Sequence, residues 1–312
     1  MSDFDLLMAA YEASGGDPEL FSSSTVARLV VSGNEIIGAN QIPGIEMFAE
    51  QLPDGVRVRL AVAPDTQVAL PVHLCFGMLP ERGMQRIVAT FEIGARASVE
   101  FVAHCTFPNA IEVEHLMEGE IHVGAGATMR YSETHYHGEH GGVFVHPKAR
   151  VIVDEGGRYY SGFSLSHGRA GKLDFDYEID VARNGLAELD AKALGWADDE
   201  IIVRETIRLN GEGARGLAKS RIAVRDRARS QVFGTTEGNA PMARGHIDCV
   251  EIVRDQAIAH AVPVVRVSDP QAQVTHEAAI GTVDKKELET LLARGLDEER
   301  AVDIIVRGML GD

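Results

Sequence analysis

Apolar and polar positions alternate with period two along most of this chain, and helical spacing is confined to its two ends. Leu6, Leu7, Ala10 and Tyr11 share one face of a segment from Asp3 to Ala13 that Gly15-Gly16 closes, which predicts a short opening helix. Strand patterns begin near Val26 to Ile37, and from Val56 onward the alternation recurs almost without a helical interval. Its clearest stretch, Leu173 to Val181, places five apolar side chains on one face and four acids on the other. That is the signature of a strand with one buried and one wet face.

Glycines punctuate the strands at Gly94, Gly124, Gly156, Gly185 and Gly213, spaced 30, 32, 29 and 28 residues apart. Short phrases recur as well. Ala214-Arg215-Gly216 and Ala243-Arg244-Gly245 stand 29 residues apart, and Gly94-Ala95-Arg96-Ala97 precedes a third strand. A β-solenoid needs such a period, because each coil buries its inner face only by stacking on the next. A β-sandwich built from regular hairpins gives the same spacing, so the pattern alone leaves both open. In the last quarter the period lengthens. Asp284 with Glu287 reads as a helix start, Leu288, Leu291 and Leu292 form a stripe, and Gly295 stops it. A second helix starts at Asp297 with Ala301, Val302, Ile304, Ile305, Val306 and Met309 as its apolar set, so a helical hairpin that docks on the β region or on a partner is expected.

Composition narrows the function classes. The 312 residues allow one large domain or two ordinary ones, and 45% hydrophobic with 25% charged residues is a globular mix. With 47 Asp and Glu against 30 Lys and Arg, the net charge of −17 repels nucleic-acid backbones and anionic lipid surfaces. No apolar run reaches the roughly 20 residues of a membrane span, and Met1 to Asp5 lacks a basic leader start, so a cytoplasmic location is expected. Cys75, Cys105 and Cys249 are too few and too scattered for a disulfide framework or a zinc knuckle.

Glu133-Thr134-His135-Tyr136-His137-Gly138-Glu139-His140 is the most conspicuous polar cluster. On a strand His135 and His137 project together and can meet one metal ion with Glu133 or Glu139, but Gly138 and Gly141-Gly142 also fit histidines on an exposed turn. The two-His spacing resembles a cupin's, yet the carboxylate is displaced and no second motif follows. Gly213 to Ser220 resembles a phosphate-binding loop, but Ala218 stands where glycine must precede Lys219, so nucleotide hydrolysis by this chain is rejected. Two further stretches concentrate ligand types: Ala243 to Ile252, with His246, Asp248, Cys249 and Glu251, and Val274 to Gly281, with His276 and Glu277. Thiolate is the ligand iron-sulfur clusters favour, while imidazole and carboxylate hold iron less exclusively.

These residues carry a family resemblance. His276 to Gly281, Leu288 to Leu296 with Ala293-Arg294-Gly295-Leu296, Glu298 to Ala301 and Ile304-Ile305-Val306 resemble the C-terminal signature of the SufB/SufD family. Lys219 to Ile222, Thr236-Glu237-Gly238 and Gly245 to Cys249 are similar to its β region, the similarity spanning about Gly94 to Gly311. The chain looks most like the short archaeal version in which one polypeptide serves as both halves of a scaffold dimer. The resemblance implies a right-handed parallel β-helix, divided as a leading segment (1–55), a β-helix core (56–275) and a C-terminal helical segment (276–312). It also implies a scaffold without enzymatic activity of its own, a homodimer, and an ABC-type ATPase, SufC, gripping the terminal helices. A sulfur donor and apo-protein recipients complete the set of partners.

Larger SufB chains place a functional cysteine shortly before an Ala-His and proline segment, and the matching stretch Asp255 to Pro263 has Ala257 there. Cys249 on the preceding strand becomes the candidate thiol, with Glu277, His276 and Asp248 as the other candidate ligands of a transient [4Fe-4S] cluster. Strand parity sets Asp248 and Cys249 on opposite faces, as it does His276 and Glu277, so one of each pair at most belongs to a single site. Cys75 and Cys105 are expected to be buried. Two alternatives remain: a mononuclear metal enzyme built on His135 and His137, and a SufD-like half that pairs only with a sister scaffold.

Overall fold

From residue 55 onward each alternating stretch is one strand, and consecutive strands go to opposite sheets. The computed structural model describes residues 3–311, so Met1, Ser2 and Asp312 of the expected segments lie outside the described residues. The leading strands are β1 (Arg28–Ser32), β2 (Glu35–Asn40), β3 (Ile45–Leu52), β4 (Gly55–Val62) and β5 (Val72–Gly77). The middle of the chain forms β6 (Arg82–Ile93), β7 (Ser98–Phe107), β8 (Glu112–Val123), β9 (Thr128–His137), β10 (Val143–Val153), β11 (Arg158–His167) and β12 (Lys172–Val181). Then come β13 (Leu186–Gly195), β14 (Glu200–Leu209), β15 (Arg215–Val224), β16 (Arg229–Gly238), β17 (Arg244–Val253), β18 (Ile258–Val267) and β19 (Gln273–Gly281).

Odd-numbered strands from β5 to β19 line one sheet and even-numbered strands from β4 to β18 the other. Each pairs in parallel with the strand two places on, as Leu173↔Ile201 and Gly216↔Gly245 do. A sandwich of hairpins would pair neighbours antiparallel; only β1 with β2 and β3 with β4 do so among the described strands, at the N-terminal end. The fold is a β-solenoid of about eight turns, with one face of each strand from β4 to β17 turned into a continuous core between the two sheets. On β12 that face is Leu173, Phe175, Tyr177, Ile179 and Val181, all buried. The acids of its outer face pair with the next turn, Arg204 with Asp174 and Arg208 with Glu178.

The glycine period marks a real corner through non-equivalent positions. At seven successive corners, up to the one before β17, one residue takes a left-handed conformation: Asp65, Arg96, Gly126, Gly156, Asn184, Gly213 and Met242. The N–H groups of the first six donate to the corner one turn on, as Gly126 N does to Glu155 O. Gly156 and Gly213 occupy this position because glycine has no Cβ penalty there, whereas Gly94, Gly124 and Gly185 flank it. The phrase at Gly94 to Ala97 is therefore not in register with the other two: Arg96 is the left-handed residue, and Arg215 and Arg244 are strand residues. The opposite corner is tied by Asp199, whose buried carboxylate accepts from the backbone N–H of Ala170, Gly171 and Trp196 and from Arg169.

The opening helix α1 (Asp3–Ala13) covers the outer face of the first turns, burying Leu7, Met8 and Tyr11 against Val30 and Cys75. Leu6, expected on that face, is exposed and Met8 takes its place. At the other end α2 (Lys285–Leu292) and α3 (Glu298–Leu310) have Asp284 and Asp297 as N-caps, accepting from Glu287 N and Arg300 N at 2.9 Å. Val302, Val306 and Leu310 of α3 pack on Ala223 and Ile252, outward-facing residues of β15 and β17. Among the described residues no helix is long and apolar enough to cross a membrane.

Candidate functional site

Period-two alternation turns Gly245, Ile247, Cys249 and Glu251 of β17 inward, and Cys249 is 2% exposed. It stacks between Ser220 of β15 and Ala278 of β19. Its Sγ lies 4.0 Å from Glu251 Oε1, and Ser230 Oγ donates to the other oxygen of the same carboxyl. Burial pushes the thiol up to about 11, with the nearby carboxylates of Glu251 and Glu205 adding to the rise and Ser220 opposing it. Burial also raises Glu251, and carries Glu205 on the neighbouring sheet up to about 8. Glu205 Oε1 has no hydrogen-bond partner among the described residues. The interior near the C-terminal end thus holds a thiol and two carboxyl groups that burial shifts toward their protonated forms. In this closed state the thiol is neither nucleophile nor metal ligand, and its Sγ only contacts the Glu251 carboxyl at 4.0 Å.

The four residues named from sequence fall into two sets. Asp248 points outward and is held by Arg221, and Glu277 lies beside it in the outward column of β19. His276 occupies the inward column, in register with Ile247 and one step diagonal from Cys249. Cys249 and His276 therefore share a face, while Asp248 and Glu277 share the other. Parity along each strand foretells this division. Glu251, two residues beyond Cys249, is visible by the same parity, but Glu205 arrives by sheet packing and has no local signal.

The final turn lies open beneath Cys249. His276, Ala278 and Ile280 of β19 and Val265 and Val267 of β18 sit in inward columns yet are exposed, because no further turn covers them. Val262 and Val264 on the outer face of β18 are exposed too, at 42% each. In the same columns β12 carries Asp176 and Glu178 and β10 carries Lys148 and Arg150.

The second cluster lies near the other end of the core. Glu133, His135 and His137 all point inward from β9 and are buried, which corrects the exposed-turn reading; Glu139 alone of that set sits on the exposed turn. His135 Nε2 is 2.6 Å from Glu133 Oε1, and Tyr131 donates to Glu133 Oε2 at 2.9 Å. His135 Nδ1 is 3.3 Å from His137 Nε2, and His137 Nδ1 is 2.9 Å from the Arg169 carbonyl. Two residues that sequence reasoning did not connect join them. Cys105 of β7 stacks directly against His135, and His115 reaches in from β8 on the opposite sheet. Both ring nitrogens of His115, fully buried, lack partners among the described residues, an arrangement that costs about 1–3 kcal/mol per unsatisfied group. Burial drives His115 well below the usual range and His137 down to about 3, so both are neutral. Cys75 is buried under α1, and burial pushes its thiol up to about 12.

Residues 83–309 match the SufBD core domain of the SUF system of FeS cluster assembly. An iron-sulfur cluster assembly SufBD family protein of Methanocaldococcus jannaschii is 37% identical over 306 residues, covering 98% of this chain and 97% of that protein. One of Pyrococcus horikoshii is 34% identical over 312 residues, covering 100% of this chain and 95% of that protein. The iron-sulfur cluster assembly protein SufB of Bacillus subtilis is 25% identical over 198 residues, 51% of this chain and 41% of its own length.

Proposed function

The chain belongs to the SufBD family of iron-sulfur cluster assembly proteins, and on that premise we propose that it is the scaffold on which a cluster is built, working as a homodimer with an ABC-type ATPase. The observation that carries the dimer is the open last turn. Two unpaired edge strands with Val262, Val264, Val265, Val267 and Ile280 exposed form an aggregation hazard unless covered. A second copy related by a two-fold axis covers both edges at once. It also brings two inward columns, each with His276 exposed and Cys249 one strand behind, to the same junction.

The cluster is cargo, made there and passed on. Parting of β19 from β17 in a working state gives Cys249 access to iron. Iron displaces its proton to solvent as the iron–sulfur bond forms, and the thiolate holds the iron with His276. Glu277 and Asp248, facing outward, supply ligands only if the partner copy presents them. A shell of one thiolate per chain, imidazole and carboxylate releases a [4Fe-4S] cluster more readily than four thiolates. The helices give the ATPase its grip: α3 is docked, none of the residues of α2 is buried, and Leu292 and Ile304 stay exposed. Nucleotide-driven movement of that partner then pulls on strands β15 and β17, which bear α3.

The test is anaerobic co-production with the ATPase from the same source, followed by size measurement and visible absorption of the purified complex. A dimer with cluster absorption is expected for the wild type. For Ile280→Lys, which charges the uncovered edge, a monomer without cluster is expected. A colourless wild-type complex, or an unchanged dimer for Ile280→Lys, contradicts the proposal.

A further inference from the structure

We infer that Cys105, His115 and His135 form a second, buried site for a zinc-class divalent ion, separate from the terminal cluster site and joining the two sheets of the solenoid. One ligand atom from each lies within 4.8 Å of the other two. A tetrahedral zinc-class ion draws sulfur and nitrogen ligands to ~3.3–3.6 Å of one another, so an inward shift of about 1 Å seats these three, with His137, whose Nε2 is 3.3 Å from His135 Nδ1, as the fourth donor. Cys105 and His135 come from neighbouring turns of one sheet and His115 from the other. The ion therefore cross-links strands that otherwise meet only through side-chain packing.

The second observation is the state of His115. A polar ring with both nitrogens unpartnered among the described residues, in an aromatic core 4.9 Å from the Phe107 ring, offers a nitrogen lone pair that no group of the chain engages. Glu133 supplies the outer support. It hydrogen-bonds His135 and accepts from Tyr131, the carboxylate–histidine pairing that orients metal ligands, and it lies 3.9 Å from Cys105 Sγ. Binding exchanges the thiol proton for a metal–sulfur bond and releases that proton. Thiolate with imidazoles selects zinc, cobalt or iron(II) over magnesium or calcium. The site is closed to solvent, so it fills as the chain folds.

The full-length chain carrying Cys249→Ser, which removes the terminal thiol, is produced in cobalt-supplemented medium and washed with chelator. The expected result is one cobalt per chain with a thiolate-to-cobalt charge-transfer band and the intense visible bands of a tetrahedral site. Cys105→Ser should abolish the charge-transfer band. His115→Leu, which replaces the unpartnered ring by an apolar side chain and keeps the fold, should lower bound cobalt to background and cancel any metal-dependent rise in melting temperature. A folded parent chain without cobalt overturns the inference. So does cobalt without a thiolate band, or a band indifferent to Cys105→Ser and His115→Leu. Loss of the iron-sulfur cluster in Cys249→Ser alongside retained cobalt separates this site from the terminal one.

Discussion

Replacing Glu205 by Gln should flatten the pH dependence of stability. The Glu205 carboxyl is 2% exposed, one of its oxygens has no partner among the described residues, and burial moves it from 4.5 to about 8. The folded protein therefore keeps a proton that the unfolded chain surrenders above pH 4.5, so this group's contribution to stability is full below that pH and declines as pH rises to about 8. At about 1.4 kcal/mol per pH unit, the loss across that window is of order 5 kcal/mol. Gln keeps the size and the hydrogen-bonding shape without the titration. The difference between variant and wild type in denaturant unfolding, measured from pH 4 to 9, cancels every other titrating group. It should be near zero at the acid end and favour Gln increasingly to pH 8, levelling off above. Parallel curves for the two proteins would mean that Glu205 is hydrated or paired, and the picture of a proton-holding compartment around Cys249 would fail.

Further outcomes follow from the turns and the docked helix. Asp199→Ala leaves the N–H groups of Ala170, Gly171 and Trp196 without their acceptor and should cost about 3 kcal/mol or more in chemical unfolding; a change below 1 kcal/mol would show that water replaces the carboxylate. Val306→Asp places a charge in the contact of α3 with Ala223 and Ile252. It should free the terminal helices to limited proteolysis and weaken ATPase capture while the far-ultraviolet β signal persists. An equally protected variant would contradict the docking.

Repetition made the fold legible. A side-chain period of two writes each strand into the chain, and Leu173 to Val181 shows it without ambiguity. The choice between solenoid and sandwich was not written there, because both use the same alternation and only the pairing of strands two apart separates them. The corner glycines gave the right spacing from positions that are not equivalent, since Arg96, Asn184 and Met242 take the left-handed conformation that glycine tolerates best. For the site, parity separated Cys249 from Asp248 and His276 from Glu277 correctly. Residues contributed by the facing sheet stayed invisible. Glu205 and His115 lie far in sequence from Cys249 and His135, and only the stacking of the coils brings them near.

The proposed assembly role rests on Cys249 holding iron when the terminal turn opens. Acid-labile sulfide and iron, assayed on the anaerobically isolated complex of the proposed dimer and ATPase, test this most directly in wild type beside Cys249→Ser. The wild type should carry both, and the serine variant should lose the sulfide while retaining its dimeric mass. Equal sulfide in the two proteins would contradict the assignment.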